Sequence, residues 1–556
     1  MVLALIVSAL CALVKVSCAR PKPNIVIYMT EDMSPRTGFS GDKVASTPNL
    51  DSFAEFAVTL TNVYGVYAVC APSRSSFTTG RYPFSYGAHN MRSDYFVNLP
   101  NGTKYLTVPP PDVKAFPETL RQHGYWTYSG PKCDMQFSSY HCSSAPQSIW
   151  SKIGFFDSPS FWRQRRKGDR RPFMGHLGDQ HTHESRIFPS SPNPDVLNRT
   201  EMIKRVVVPP FYKDTLLMRN DIVSQYNSIA IMDSKFGKLL RNLRQDGLMA
   251  DTIVIWMSDH GDGLPRGKRD LFDYGIRVPC VVWLPERFRP DWWPAAGAEL
   301  DRMVSFIDFA PTLLDLAGVA VPEGMHGKSL FASPDFARGD FVFGAKDRMD
   351  EAVDRVRYVR SKQGFKLIRN FRPDLPAGGR VSYRFRQRGA FELRKLFHAG
   401  KLNAEQGLWF QPRQQEEFYD LSKDPLELTN LVGTNSSSYM KILEGLRAAL
   451  DAELAGVTDL GDVPEGVLAQ KYWPGGVQPV TLHPLVKIDA GFALLTAQSK
   501  GSSLIYALQG CGQDREWYVY GSPVPLINCS GVKAKAQQYG WSVSGTVSAY
   551  TPTVYV

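Results

Sequence analysis

The sequence predicts an α/β protein. It should hold a large mixed, mostly parallel sheet flanked by helices, with a smaller antiparallel C-terminal subdomain and an appended β-sandwich. Three observations carry this. Two nearly continuous apolar runs, Asn24 to Met29 (NIVIYM) and Thr252 to Met257 (TIVIWM), suit strands buried on both faces of a parallel sheet. A long amphipathic stretch lies between them, and strands alternating with helices imply a sheet covered on both sides. Beyond residue 341 the composition shifts twice, first to Arg, Lys and aromatic alternation, then to short strand-like pieces.

Met1 to Val16 is apolar apart from Ser8 and Lys15, and small residues Ser17, Cys18 and Ala19 follow. Residues 1–19 therefore read as a cleavable secretory signal. A secreted or lysosomal destination follows, and no run is long enough for stable membrane insertion. Four sequons, at Asn101, Asn198, Asn435 and Asn528, fit a glycosylated route. Of eight cysteines, Cys11 and Cys18 would leave with the signal. Cys133 with Cys142, and Cys511 with Cys529, are close enough in sequence to pair. Cys280 sits in an apolar run and reads as a buried thiol. Cys70 is left over and calls for a chemical explanation.

Thr47-Pro48 opens a helix, with Thr47 as N-cap and Pro48 at the first helical position. A longer helix from about Arg219 to Asp246 would bury Ile222, Tyr226, Ile229, Phe236, Leu240 and Leu243, and Gly247 would stop it. Three folded regions are expected. The α/β part runs over 23–340, and an antiparallel α+β subdomain with a helix near Tyr439 to Leu454 runs over 341–460. The β-sandwich runs over 473–556, with strands at Ala493–Thr496, Leu504–Leu508, Trp517–Tyr520 and Val543–Val547.

The 556 residues carry a formal net charge of +10, with 43% hydrophobic and 21% charged residues. That composition excludes a mainly disordered, collagenous or coiled-coil chain. The basic excess leans toward anionic partners: nucleic acid, acidic lipid or an acidic polysaccharide.

Both apolar runs end in polar clusters, Thr30-Glu31-Asp32 and Ser258-Asp259-His260-Gly261-Asp262. In open parallel sheets, ligands bind beyond the carboxyl ends of strands. Two acidic clusters meeting there would repel unless a cation neutralised them. Glu31, Asp32 and Asp259 are therefore metal-ligand candidates. Oxygen ligands favour calcium, with magnesium as the alternative, and His260 is a further but less typical ligand. A plainer reading makes each carboxylate an N-cap at a strand-to-helix turn.

The segment Val69-Cys70-Ala71-Pro72-Ser73-Arg74 through Thr79-Gly80-Arg81 resembles the signature of the formylglycine-dependent sulfatases, C-x-P-S-R closed by T-G-R. Pro265-Arg266-Gly267-Lys268, Ala310 to Leu314, Glu417 to Leu421 and Asp424 to Glu427 look like further family motifs. The resemblance spans roughly residues 23 to 455. In the style of T-E-D-M-S-P, T-H-E-S and S-D-H-G-D-G it is nearest to heparan N-sulfatase-like members.

The resemblance implies an alkaline-phosphatase-like fold and conversion of Cys70 to formylglycine (3-oxoalanine) by a maturation enzyme. An aldehyde hydrate offers one hydroxyl to attack sulfur and a second to expel sulfate, which a thiol cannot do. Cys70 should lie at a helix N-terminus, where backbone N–H groups favour an anion. Arg74, one turn on, would bind the hydrate, and residue 70 would join Glu31, Asp32, Asp259 and His260 at the metal. By resemblance, Lys132, His183 and Lys268 grip the sulfate. Glu31 departs from the commoner Asp-Asp pair, and Phe77-Thr78 replaces two aliphatic residues. Asp134 stands near where a histidine is usual after Lys132, either as a substitute base or as a substrate ligand. Strand alternation would put His181 on the same face as His183. Arg348 and Asp350 are candidates to reach the sugar.

The implied substrate is a sulfated oligo- or polysaccharide carrying O- or N-sulfate, and nucleic acid is not expected. The basic run Arg163, Arg165, Arg166, Lys167, Arg170 and Arg171, beside Phe161 and Trp162, would suit a polyanionic chain or form a solvated loop. Two rival readings are a phosphodiester or phosphonate hydrolase of the same superfamily, and a non-catalytic secreted glycan-binding protein.

Overall fold

The computed structural model describes residues 21–551 apart from 98, 100, 101, 103, 139, 140, 332–338 and 513–515. The signal-like segment 1–19 and the sequon at Asn101 lie outside the described residues.

Eight strands form the large sheet: β1 (Asn24–Thr30), β2 (Val58–Tyr64), β3 (Trp126–Ser129), β4 (Lys152–Ile153), β5 (Phe173–Asp179), β6 (Thr252–Ser258), β7 (Arg277–Trp283) and β8 (Glu299–Ser305). Their order is β4-β3-β5-β1-β6-β7-β2-β8. Neighbours run parallel except β7, which opposes both β6 and β2.

β1 and β6 lie side by side at the centre, which is why their sequences are apolar throughout. Ile25, Ile27, Met29, Ile253, Ile255 and Met257 pack into the core on one face. Val26, Tyr28, Val254 and Trp256 pack on the other. Each such burial contributes about 1.5–3 kcal/mol relative to exposure.

The helices that cover this sheet or build the site at its end include α1 (Pro48–Phe56), α2 (Cys70–Thr79) and α3 (Leu216–Gln245). All six expected apolar positions of α3 are buried against the second core face. The helix begins three residues before the expected start, because the Thr215 hydroxyl accepts the Met218 N–H at 3.2 Å. Gly247 ends it with φ +68°, a conformation that favours glycine.

Thr47 does occupy the N-cap position of α1, but it does not cap. Its hydroxyl donates to Asp51, and the Asp233 carboxylate on α3 accepts the N–H groups of Asn49 and Leu50, at 3.2 and 2.8 Å. A tertiary contact replaces the local one there.

A four-stranded antiparallel sheet comes next in the chain: β9 (Phe341–Lys346), β10 (Val356–Ser361), β11 (Phe365–Asn370) and β12 (Glu416–Asp420), in the order β12-β11-β10-β9. Helix α4 (Ser437–Ala455) lays Leu443, Leu446 and Leu450 onto it.

The tail holds two more antiparallel sheets. One orders β13 (Leu485–Asp489), β14 (Phe492–Thr496) and β17 (Val524–Pro525). The other orders β16 (Tyr518–Val519), β15 (Ser503–Gln509), β18 (Gly531–Gln537) and β19 (Val547–Tyr550). Ala493, Leu495, Leu504, Val524, Val532 and Ala534 form their shared core.

The expected strand at Val543–Val547 is displaced, since pairing with β18 begins only at Val547. Before it, the Ser544 hydroxyl takes the Ala536 N–H at 2.8 Å, the donor a strand partner would use. β18 itself escaped the sequence reading because GVKAKAQ alternates lysine with alanine, a weak strand former. Disulfides join Cys133 to Cys142 and Cys511 to Cys529, while Cys70 and Cys280 are free and buried.

Candidate active site

Thr30 and Ser258 are partners at the carboxyl ends of β1 and β6. The polar clusters beyond them therefore emerge together. Asp32 turns back with φ +46°, one of the few non-glycine residues at positive φ, and its N–H donates to Asp259 Oδ1 at 3.2 Å. Glu31, Asp32, Asp259 and His260 are all fully buried.

His260 Nδ1 lies 2.9 Å from the Gly261 carbonyl, which orients the ring. Its Nε2 faces Asp32 at 3.2 Å, Asp259 at 3.6 Å and the Cys70 Sγ at 3.4 Å. Burial opposes a charge on the ring, but the Asp259 and Asp32 carboxylates override it and push His260 up to about 10.

Cys70 is the first residue of α2, as expected, and the whole helix is buried. One turn on, Arg74 donates from Nε to Asp259 at 3.0 Å and from Nη2 to Glu31 at 3.4 Å. Its Nη1 is buried with no hydrogen-bond partner among the described residues.

Lys132 follows β3 and pairs with Glu31, with Asp134 3.5 Å away. Burial raises the Glu31 carboxyl, outweighing Lys132 and Arg74. Lys268 contacts both oxygens of Asp32, at 2.8 and 3.0 Å, and Glu184 at 3.1 Å. Burial would depress the Lys268 ammonium, but Asp32 reverses this and holds it well above the ordinary lysine range.

His183 Nε2 lies 4.0 Å from Glu31 Oε2. Its Nδ1 accepts the Ser185 N–H at 3.3 Å, which assigns the proton of the neutral ring to Nε2, facing the site. Burial, then the Lys268 charge, keeps the imidazole well below its usual range and hence neutral.

Other expected residues stand elsewhere. β5 ends at Asp179, so residues 180–183 form a turn and strand alternation does not apply. His181 consequently faces away from His183, with Nδ1 3.0 Å from Asp179 and Nε2 2.9 Å from Lys235. Asp134 is gripped by Arg92 through two hydrogen bonds of 3.0 and 2.7 Å. Despite burial, Arg92 and Lys132 hold its carboxyl far below the usual range, so it is a fixed anion and a poor proton acceptor.

Arg348 is spent on Glu465 and on the carbonyls of Met91 and Asp350, which makes it a structural strut in this arrangement. Asp350 Oδ2 accepts from Arg269 Nε at 2.7 Å, and Arg269 in turn grips Glu184 at 2.8 and 3.0 Å. Asp350 thus reaches the centre through the relay Arg269–Glu184–Lys268.

The basic run from Arg163 to Arg171 leads into the N-terminal end of β5, at the opposite end of the sheet from Cys70. Phe161 and Trp162 are buried, stacked on Tyr128 and Phe173, so they face no substrate at this pocket. Sequence reasoning missed Arg92, Glu184 and Arg269. Glu184 and Arg269 directly follow His183 and Lys268, and their adjacency was the available signal. Nothing local marks Arg92.

Ligand atoms of Asp32, Cys70 and His260 lie within 4.8 Å of one another, as do those of Glu31, Asp32 and His183. Glu31 Oε2 is buried with no hydrogen-bond partner among the described residues. An oxygen stranded beside two further carboxylates fits a hard divalent cation.

Residues 23–319 match the sulfatase family pattern. An ulvan-active sulfatase of Formosa agariphila is 32% identical, the alignment covering 98% of this chain and 97% of that protein. Human N-sulphoglucosamine sulphohydrolase is 26% identical over 84% of this chain and 97% of its own. A solved structure of a 2-O GAG sulfatase shares the fold, with a TM-score of 0.54 at 20% identity, covering 78% of this chain and 92% of that one.

Proposed function

The chain belongs to the sulfatase family and is a sulfuric ester hydrolase, and on that premise we propose that it removes O- or N-linked sulfate from a sulfated glycan. The carrying observation is Cys70 Sγ at a buried helix start, 3.4 Å from His260, in one centre with Lys132, His183 and Lys268. The glycan is supported by the relatives, one named for ulvan and one for N-sulphoglucosamine. The leader-like residues 1–19 support secretion. No helix of the described residues is long and apolar enough to cross a membrane.

Converted to formylglycine by a maturation enzyme, residue 70 would supply the hydrate whose hydroxyls attack sulfur and then release sulfate. Glu31, Asp32 and Asp259, with residue 70, would hold calcium or magnesium, joined by His260 once the cation displaces its Nε2 proton; the cation's charge would offset the carboxylates and polarise oxygen.

The chain's own side chains do the rest. Lys268, kept charged by Asp32, and Lys132 on Glu31 present cations to the sulfate oxygens. Arg74 has a guanidinium nitrogen left over for an oxygen at residue 70. His183 offers a neutral N–H donor at the site. Asp134, locked by Arg92, steadies Lys132 and takes no proton. Lys132, Lys268, Arg74 and Asp134 are almost wholly buried, which strengthens their charges at the site, while one water per cycle would re-form the hydrate after sulfate leaves.

The test is a substrate panel. The matured protein should turn over nitrophenyl sulfate and sulfated oligosaccharides faster than matched phosphate and phosphonate esters. Faster phosphonate turnover would favour the first rival. Glycan binding with no turnover of any ester would favour the second.

A further expectation concerns the cation. Asp32→Ala and Asp259→Ala should each lose the bound metal, measured by elemental analysis, and roughly 10²-fold or more in kcat. Full metal content and turnover in both variants would place the metal elsewhere.

A further inference from the structure

We propose that the molecule carries a second site for sulfated polysaccharide, a cleft between the edge of the large sheet and the tail, lined by residues other than those of the catalytic pocket. For its ligand class the proposal rests on the glycan sulfatase reading. The cleft itself stands on separate observations.

A cleft of about 670 Å³ is lined by the edge strand β4, the segment before it, the basic run before β5, and Trp517 beside β16. That volume is in the range of small-ligand sites, roughly 300–1,000 Å³. Among its described lining residues are Arg121, Lys152, Arg166 and Arg171, against the single carboxylate of Glu516.

Two of these cations are already used. Arg171 is paired with Asp169 and Glu516. Arg121 donates to the carbonyls of Gln147, Ser148 and Trp517, and so fastens the tail to the sheet. Lys152 and Arg166 are exposed, with no carboxylate partner among the described residues. Among the described residues they leave two uncommitted positive charges in the cleft lining.

Trp517 is partly exposed, with the Lys535 ammonium 4.7 Å from its ring centroid. An indole face beside free cations suits a ligand with both flat C–H faces and fixed negative charges. A sulfated sugar chain has that chemistry. Free phosphate or an aliphatic acid lacks the ring, and a neutral glycan lacks the charge.

The cleft is not a second catalytic centre. Among the described lining residues there are no converging carboxylates and no histidine or cysteine beside a nucleophile. The cleft's edge strand β4 pairs with Tyr128 and Ser129 at the carboxyl end of β3, and its wall residue Trp150 donates to Cys133, beside Lys132, at 3.2 Å. The cleft nevertheless has its own lining, which includes none of Glu31, Asp32, Cys70, Lys132, His183 or Lys268. A polymer held at both places gains avidity that a short substrate cannot.

The experiment uses the full-length chain with Cys70→Ala, which prevents turnover, on immobilised ulvan and heparin and on their desulfated forms. The double variant Lys152→Glu/Arg166→Glu should bind both sulfated polymers about tenfold more weakly, with a flatter salt dependence. Desulfation should produce a comparable loss in the parent chain. With Cys70 intact, the double variant should keep nitrophenyl sulfate turnover within about twofold. Unchanged polymer binding, tighter binding of charge-matched duplex DNA, or loss of nitrophenyl sulfate turnover would each overturn the proposal. A parent chain that fails to hydrolyse any sulfate, yet loses polymer binding with the charge reversal, would refute the catalytic reading and leave the cleft standing.

Discussion

Cys70→Ala should bring sulfate ester turnover down to background, a loss of roughly 10⁴-fold or more, as expected when the nucleophile of a covalent mechanism is deleted. The fold should survive, because a small buried side chain is exchanged for a slightly smaller one. The stability cost should be near 1 kcal/mol. Initial rates on nitrophenyl sulfate and a thermal melt check the two halves separately. Mass spectrometry of the tryptic peptide containing residue 70 completes the test. The active parent should show the mass deficit of a thiol-to-aldehyde conversion. A fully active preparation carrying only the thiol would end the formylglycine reading.

Lys268→Ala should lower kcat by about 10²–10³, or about 3–4 kcal/mol of transition-state stabilisation, with a much smaller effect on sugar binding. The ammonium is buried between Asp32 and Glu184, so it is fixed before substrate arrives and reorganises little during reaction. Its removal also leaves those carboxylates with one cationic partner fewer. Breaking a buried pair in this way typically costs about 3–5 kcal/mol of stability. Rates must therefore be read on protein shown by its melt to be folded. The leaving group then separates two roles. If Lys268 stabilises the departing oxygen, nitrophenyl sulfate, whose leaving group needs no proton, should recover part of the lost rate. Equal losses on good and poor leaving groups would make it a sulfate-binding residue. An unchanged kcat on every substrate would remove it from the chemistry.

What could be read from the sequence was local or periodic. β1 and β6 were legible because strands buried on both faces must be apolar throughout. Their acidic ends were legible because the turn comes directly after each strand. Cys70 and Arg74 lie four residues apart on one helix, so their spacing survives folding unchanged. The pairing of Asp134 with Arg92 was hidden, since it joins residues 42 positions apart. That pairing removes Asp134 from the candidates for a proton acceptor. His181 was misplaced because alternation was extended past Asp179, where β5 ends. The basic run was correctly seen as a cluster, but its distance from Cys70 depends on strand direction. A tally of charges carries no direction. β18 shows the remaining limit: alanine fits a pleated sheet when neighbours leave little room, and only the packing reveals that.

The burial of α2 has a consequence in time. Cys70 has no exposed surface in the folded chain, and neither Ala71 nor Ser73 beside it offers a handle. On the formylglycine reading proposed above, an enzyme converting this thiol would have to reach it before the helix closes into the core. Conversion and folding would then compete, and a chain that folded first with its thiol intact would stay inactive. The specific activity of a preparation would then record the outcome of that race during synthesis, molecule by molecule.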